Sequence, residues 1–161
     1  MEIDNLDIAA SIGSDEFGET ETWNMSLYDQ LTSLEGRINR LRYILLYILS
    51  FIGMFVYAAI IIIATFWLPE PIYSIVNTLL FLPIFYILYA LAVKRLQDTG
   101  RGDGWITYAQ IGLGLNIIYF LTLAKGIDLW FLMVVMLPLG IVCLFYRGDS
   151  GPNKFGPDPI P

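Results

Sequence analysis

Four long stretches without a charged residue constrain this chain more than any other feature of its sequence. They cover residues 43–68, 72–93, 105–124 and 129–146. A helix needs roughly 18 to 20 apolar residues to cross the hydrocarbon core of a bilayer, and each stretch reaches that length. Lipid offers no hydrogen-bond partner to an unpaired backbone group, so each stretch is predicted to be helical. The sequence therefore predicts an all-α, polytopic membrane protein with four transmembrane helices.

The distribution of cations predicts how these helices are oriented. Of nine Lys and Arg residues, only Lys125 falls on one side of the four spans. The other eight fall on the opposite side, and they are Arg37, Arg40, Arg42, Lys94, Arg95, Arg101, Arg147 and Lys154. Loops rich in Lys and Arg stay in the cytoplasm. Both termini and the loop 94–105 are therefore expected to be cytoplasmic, as is a Gly/Pro-rich C-terminal tail at 147–161.

The segment before the first span divides into two parts. Residues 1–25 belong to a region of 36 residues that holds nine Asp and Glu and no Lys or Arg, which predicts a solvated, disordered tail. The alternative is a docking segment for a basic partner. In residues 26–42, apolar positions recur at helical spacing, and they are Leu27, Leu31, Leu34, Ile38 and Leu41. This pattern predicts an amphipathic helix with Ser26 as N-cap, lying in the membrane interface or packed on a partner.

Several classes of chemistry are disfavoured by composition. The chain has no His, and its one cysteine, Cys143, lies within the fourth span. Histidine bases, most zinc sites and bis-histidine haem ligation are thereby excluded. No charged residue lies within a span, which disfavours pumps and ion-coupled transporters. We expect no enzyme activity, no cofactor, no metal and no nucleic-acid partner.

A few residues inside the spans are candidates for packing. Asn77, Gln110 and Asn116 are polar, and such side chains usually form hydrogen bonds between membrane helices. Pro83 and Pro138 lie near the midpoints of the second and fourth spans, where each removes a helical hydrogen bond and is expected to kink its helix.

The loop "KRLQDTGRGDGW", residues 94–105, concentrates charge between two apolar stretches. Its main interpretation is a structural cap of ion pairs, in which cations close to Asp98 offset its unfavourable position at a helix C-terminus. The candidates for this cap are Arg37, Arg40, Lys94, Arg95, Asp98, Arg101 and Asp103. Because the loop is placed at a wet interface, the change Asp98→Asn is expected to cost near or below about 1 to 2 kcal/mol.

Two other interpretations of this loop remain open. In one, Arg101 and the N-terminus of the third span bind a lipid phosphate. In the other, Asp98 and Asp103 form a catalytic or metal-binding pair. Gly100 is expected to adopt the left-handed conformation after a helix end, and Asp103 is expected to cap the third span. The C-terminal "GPNKFGPDP" is predicted to turn beneath the cap.

Three motifs together resemble the domain-of-unknown-function 805 family. They are "GRINRLRY" at 36–43, "KRLQDTGRGDGW" at 94–105 and "GPNKFGPDP" at 151–159, and the resemblance extends over residues 36–161. It implies a small bacterial inner-membrane protein, but it implies no activity. The usual pattern of that family has His where this chain has Gln97.

The sequence thus favours a non-enzymatic membrane scaffold or regulatory partner in a bacterial inner membrane. The alternatives are an oligomeric pore or small transporter, whose kinked helices would line a path, and a protein that binds anionic lipid headgroups. The expected partners are membrane lipids, a second copy of the chain or another membrane protein.

Overall fold

A computed structural model describes residues 26–70, 72–123, 131–156 and 158–159 of the chain, and the acidic segment 1–25 lies outside the described residues. The helices are α1 (Leu27–Thr32), α2 (Arg40–Thr65), α3 (Ile72–Asp98), α4 (Gly102–Leu123), α5 (Phe131–Val134) and α6 (Leu137–Phe145). Three of them, α2, α3 and α4, are long and apolar enough to cross a membrane. All the elements in the described ranges are helices, apart from an isolated bridge between Asn153 and Gly156.

Helix α3 is the centre of the bundle, because it contacts α1, α2, α4 and α6. The most apolar window of α3 is 39% buried, against 11% for the corresponding windows of α2 and α4. Helices α2 and α4 therefore keep most of their apolar surface free for lipid. We use "charged end" for the end of the bundle where α2 and α4 begin and α3 and α6 end.

Two apolar clusters hold the helices together. The cluster near the charged end includes Tyr43 of α2, Leu91 and Leu96 of α3, and Cys143 of α6. The second cluster is aromatic, with the ring of Phe120 on α4 lying 4.9 Å from Phe81 and 5.0 Å from Phe85 on α3. Since lipid tails are as apolar as these side chains, close packing stabilises such contacts more than exclusion of water does.

The prediction of one amphipathic helix over 26–42 is wrong. Ser26 does cap α1, since its Oγ accepts a hydrogen bond from the Asp29 backbone N–H at 3.1 Å, but α1 ends at Thr32. Gly36 then takes a φ of +92°, which no helix accommodates, and α2 begins only at Arg40. The apolar residues do recur at helical spacing, but residues 26–42 do not form one helix. Contacts with α3 hold this segment in place.

The predicted fourth span is not one continuous helix. Residues 129 and 130 lie outside the described residues, and α5 and α6 are separated at residues 135 and 136. Pro138 lies in the first turn of α6, where its missing N–H breaks no helical hydrogen bond. This proline therefore begins a helix instead of kinking one. Pro83, by contrast, lies inside α3, which remains helical on both sides of it.

Candidate functional site

The last turn of α3 carries charged side chains that are buried. Lys94 and Arg95 are 0% exposed and Asp98 is 3% exposed, and Arg37 from the segment before α2 is 2% exposed. The loop predicted at 94–105 is thus largely helix, since α3 continues to Asp98. Burying a charge costs free energy unless the charge is paired and hydrogen-bonded. The partners of these four side chains therefore explain the architecture of the charged end, and we call the four residues the buried cluster.

Asp98 bridges two arginines within the buried cluster. Its Oδ1 accepts from Arg37 Nη2 at 3.1 Å and from Arg37 Nε at 3.3 Å. Its Oδ2 accepts from Arg95 Nη1, one turn earlier on α3. One carboxylate thus compensates two guanidinium groups, which is why both can remain away from solvent. Of the residues that the sequence proposed for the cap, the structure brings Arg37, Arg95 and Asp98 together in two ion pairs.

Arg37 also binds the C-terminal segment. Its Nη1 donates to the backbone oxygens of Gly151 at 2.7 Å and Gly156 at 3.2 Å. Its Nη2 donates to the Asp149 oxygen at 2.7 Å. An arginine has five N–H donors, and with Asp98 all five are used. Arg37 thus holds the C-terminal segment against the bundle, although the two are more than 100 positions apart in the chain.

Lys94 and Arg95 bind the C-terminal ends of two other helices. Lys94 Nζ donates to the backbone oxygens of Asp29 and Gln30 in α1, both at 2.7 Å. Arg95 Nε donates to the Cys143 oxygen in α6 at 2.9 Å, and its Nη2 donates to the Tyr146 oxygen. The last carbonyls of a helix have no partner within the helix, and the helix dipole favours a cation there. Two neighbouring cations on α3 therefore dock α1 and α6.

The C-terminal segment covers the end of α3. The Asp149 N–H donates to the Asp98 backbone oxygen at 2.8 Å, and Asn153 Nδ2 donates to the Gln97 backbone oxygen at 3.0 Å. Gly148 packs so closely that an added Cβ would lie 2.2 Å from Asp98 Oδ2. The predicted turn in "GPNKFGPDP" is present, because Asn153 and Gly156 exchange backbone hydrogen bonds at 3.0 Å.

Gly100 has the predicted left-handed conformation, with a φ of +66°. It reverses the chain between α3 and α4, since its N–H donates to the Gln97 oxygen at 3.2 Å. Gln97 itself donates from Nε2 to the Leu34 oxygen at 3.0 Å, which adds a contact to the segment between α1 and α2.

Other candidates for the cap lie outside the buried cluster. Arg101 places its guanidinium 4.4 Å from the centre of the Tyr146 ring. Asp103 lies in the first helical turn of α4 instead of at its N-cap, and it pairs with Lys154 at 2.7 Å with 81% of its side chain exposed. Arg40 is exposed, and within the described ranges it forms no hydrogen bond or ion pair. The sequence predicted that these residues belong to the cap because it does not show which cation pairs with which carboxylate.

The two alternative sites are not assembled by this geometry. The N-terminus of α4 is covered by Phe155, whose ring would lie 2.4 Å from a Cβ added at Gly102, so Arg101 does not face an open phosphate site there. Asp98 and Asp103 bind different cations, one buried and one exposed, and do not form a pair. In the part of the chain that the structure describes, no group of three or more His, Cys, Asp or Glu side chains is placed to hold a metal ion.

The polar residues within the spans have different roles. Asn77 joins α2 to α3, because its Nδ2 donates to Thr65 Oγ1 at 3.1 Å. Asn116 instead donates to the Gly112 oxygen of its own helix at 2.8 Å. Gln110 is exposed on α4. Only Asn77 thus forms, within the described ranges, the hydrogen bond between helices that was predicted for all three.

Two cavities lie beside the buried cluster. The polar cavity, of about 420 Å³, is lined at the charged end by residues that include Arg40, Arg95, Asp98, Arg147, Asp149 and Asp158. The apolar cavity, of about 380 Å³, lies between α2, α3, α4 and α6 and has aromatic walls that include Tyr43, Tyr47, Phe51, Phe85 and Tyr119. Both volumes are within the range of small-molecule sites.

Sequence reasoning missed the residues that close the buried cluster from outside. Three backbone oxygens accept hydrogen bonds from its arginines, and they belong to Cys143, Tyr146 and Asp149. Gly148 packs directly against Asp98. A carbonyl oxygen is present in every residue, so no sequence signal marks those that bind an arginine. Gly148 could have been noticed, because the string "RGDSG" at 147–151 brings glycines next to a charge.

Comparison with known proteins gives one family. A family model described as "Protein of unknown function (DUF805)" matches residues 31–157. This range includes the whole buried cluster and most of the C-terminal segment. No curated protein and no solved structure matches the chain significantly.

Proposed function

The chain belongs to the DUF805 family, and we propose that this member is a non-enzymatic scaffold or regulatory partner in a bacterial inner membrane. One observation carries the proposal: the charged side chains of the buried cluster bind one another and backbone oxygens. All five donors of Arg37 are used, and both oxygens of Asp98 bind arginines. These groups are engaged in holding the fold together.

A catalytic site needs groups that can reach a reacting atom. In the buried cluster, Arg95 donates to Asp98 and to two carbonyl oxygens of α6 and the residue after it, and Lys94 donates to two carbonyl oxygens of α1. Using either cation in a reaction would undock a helix. The arrangement therefore favours a structural role for the charge, and a rigid end that presents its outer surface to a partner.

The proposed orientation places the charged end in the cytoplasm. All eight cations predicted for the cytoplasmic side lie in segments that meet at this end, which agrees with the positive-inside rule. A fourth crossing of the membrane is part of the proposal. Helix α4 begins at the charged end, and α6 ends there through its hydrogen bonds with Arg95. The intervening chain must therefore leave this end and return, although α5 and α6 form a broken helix.

A scaffold is expected to meet its partner at the charged end. A photo-crosslinking residue at Asp103, whose side chain is 81% exposed, should give a discrete protein adduct in intact bacterial membranes. The matched control is Trp67, which is 70% exposed at the opposite end of α2 and should give no adduct of that size. Absence of a discrete adduct from Asp103, Arg40 and Arg147 alike would contradict the scaffold.

A flux assay separates the scaffold from a pore. The purified protein, reconstituted in vesicles loaded with K⁺ or a small dye, should release neither faster than empty vesicles do. The physical reason is that Arg37, Arg95 and Asp98 bind one another at the charged end, while the cavity deeper in the bundle has mainly apolar walls. Solute release that rises with protein content would establish the pore instead.

A further inference from the structure

The last turn of α3 and the polar cavity beside it carry more positive than negative charge. Among the described residues, Asp98 is the only buried carboxylate, whereas the buried cluster contains three buried cations. Together, the buried cluster and the walls of the polar cavity hold five cations and three carboxylates, namely Arg37, Arg40, Lys94, Arg95 and Arg147 against Asp98, Asp149 and Asp158. This end of the molecule therefore attracts an acidic ligand.

The two carboxylates that line the polar cavity outside the buried cluster are already partnered. Asp158 Oδ2 accepts a hydrogen bond from the Gly151 backbone N–H at 2.7 Å. Asp149 Oδ2 accepts from Asn153 Nδ2 at 3.4 Å. These contacts lie within the C-terminal segment and stabilise its turns. They leave the cations on the opposite part of the wall without a carboxylate from that segment.

Arg40 and Arg147 are the cations that the polar cavity offers to a ligand. Arg40 begins α2 and Arg147 follows α6, and both line this cavity. Both are exposed, and neither side chain forms a hydrogen bond or ion pair with another residue in the described part of the chain. A guanidinium binds a carboxylate through two parallel N–H donors. The cavity thus fits a ligand with several carboxylates.

An acidic segment of this same chain is attached close to the polar cavity. In "DEFGETE", residues 15–21, four of seven residues are Asp or Glu, and this segment lies outside the described residues. It leads to α1, which Lys94 of α3 binds, and the next residue of α3, Arg95, lines the polar cavity. The attachment point of the segment and the cavity therefore adjoin the same turn of α3.

The length of chain before α1 is sufficient to reach the cavity. An extended chain covers at most about 3.6 Å per residue, so Glu21 can reach roughly 18 Å from Ser26 and Asp15 roughly 40 Å. A helix with its side chains is only about 10 to 12 Å across. A short tether of this kind also gives an effective concentration on the order of millimolar, which favours the segment over a free acidic peptide.

We propose that residues 15–21 of this chain bind the polar cavity, with their carboxylates on Arg40 and Arg147. The sequence left open a docking segment for a basic partner, and the charged end supplies that partner within the same chain. The segment then covers part of the outer surface at this end, and any other acidic ligand must displace it. This inference does not depend on the proposed scaffold, because it concerns contacts within one molecule.

Proteolysis of the full chain tests the proposal. The protein in phosphatidylcholine nanodiscs and a synthetic peptide of residues 1–25 are treated with an endopeptidase that cleaves after Glu. At low salt, we expect cleavage at Glu16, Glu19 and Glu21 to be about threefold to tenfold slower in the protein than in the peptide. That ratio corresponds to a few exposed ion pairs, since cleavage follows the population of the open form.

Salt is the first control, because it needs no variant. The Debye length falls from about 30 Å at 0.01 M salt to about 3 Å at 1 M, so the protection should disappear at 1 M. Protection that persists at 1 M salt would show a contact that is not electrostatic, and would overturn the proposal. Equal cleavage of protein and peptide at low salt would overturn it as well, and is the outcome expected if these arginines serve anionic lipid instead.

Two matched double variants test the location. Arg40→Gln with Arg147→Gln should abolish the protection. Arg101→Gln with Lys154→Gln removes the same charge from the same end, but neither residue lines the polar cavity, and the protection should persist. Thermal unfolding confirms that each variant is folded. Protection that survives the first double change, or that falls equally in both, would refute the site at Arg40 and Arg147.

Discussion

The two ends of the α2–α3 pair are held by different kinds of contact. At the charged end, Arg37 and Asp98 form a buried ion pair between residues 61 positions apart. At the opposite end, Thr65 and Asn77 exchange neutral hydrogen bonds at 3.1 and 3.3 Å across only 12 positions. The neutral contact joins two consecutive helices, α2 and α3, close to the short turn between them. The charged contact joins the segment before α2 to the end of α3. Arg37 also binds the backbone oxygens of residues 149, 151 and 156, so this end links segments that are distant in the chain.

The largest expected effect comes from Asp98→Asn. This change leaves the guanidinium groups of Arg37 and Arg95 buried without a counter-charge, and breaking a buried pair in this way costs roughly 3 to 5 kcal/mol. The value exceeds the 1 to 2 kcal/mol expected from sequence, because Asp98 is buried instead of lying at a wet interface. Thermal unfolding in detergent measures the loss.

Asp103→Asn is the matched control for Asp98→Asn. It removes the same charge from an ion pair whose side chains are 81% and 56% exposed. Exposed pairs contribute about 1 kcal/mol or less, so its melting temperature should stay near that of the wild type. Equal losses in the two variants would show that burial does not distinguish these pairs.

A smaller effect is expected from Arg37→Lys. Lysine keeps the positive charge, but it has three donors where arginine has five, and it lacks the planar fork that reaches Asp98 and three carbonyl oxygens together. We expect a loss of about 2 to 3 kcal/mol, the value of one charged hydrogen bond or slightly more. The C-terminal segment should also be released, so that trypsin cleaves faster after Lys154.

Arg42→Lys provides the comparison for that experiment. Arg42 lies in the first turn of α2 and takes no part in the buried cluster. Its replacement should change neither the melting temperature nor the rate of cleavage after Lys154. Unchanged cleavage in Arg37→Lys would show that the segment is held mainly by the contacts of Asp149 and Asn153 with the end of α3.

The smallest effect is expected at the opposite end, from Asn77→Ala. Hydrogen bonds between membrane helices contribute about 0.6 kcal/mol on average and rarely more than about 1.7. A double-mutant cycle with Thr65→Val isolates the pairwise term, which should fall in this range. A loss from Asn77→Ala as large as that from Asp98→Asn would reverse the comparison, and would make the local hairpin contact the stronger determinant of the fold.

Local features of this protein were predictable because they depend on neighbouring residues. The length and hydropathy of α2, α3 and α4 follow from their own side chains. The N-cap at Ser26 and the left-handed Gly100 are likewise properties of a few consecutive residues. The family resemblance, carried by three motifs, also agrees with the matched range 31–157.

Predictions that required a distant partner were less accurate. The residue types of the cap were identified, but Arg40, Arg101 and Asp103 could not be separated from Arg37 and Arg95 by sequence. The helix predicted over 26–42 had the correct apolar spacing, yet the backbone leaves the helix after Thr32. On α3, Lys94 holds the short helix α1, and Gln97 holds the segment that follows it. Asn116 had the same apparent potential as Asn77 and bonds within its own helix.

The sequence by itself determined that this chain forms long apolar helices and that eight of its nine cations lie in the segments at one end of them. The reason is that hydropathy and charge are properties of the individual residues and do not depend on distant contacts. Only the tertiary structure decided that Asp98 is buried between two arginines, and that Arg37 holds a C-terminal segment 112 to 119 residues away. The physical reason is that burial and partnership belong to groups that meet in space. Asp98 has no sequence signal of burial, and it becomes buried once the segment before α2 and the C-terminal segment pack against the end of α3.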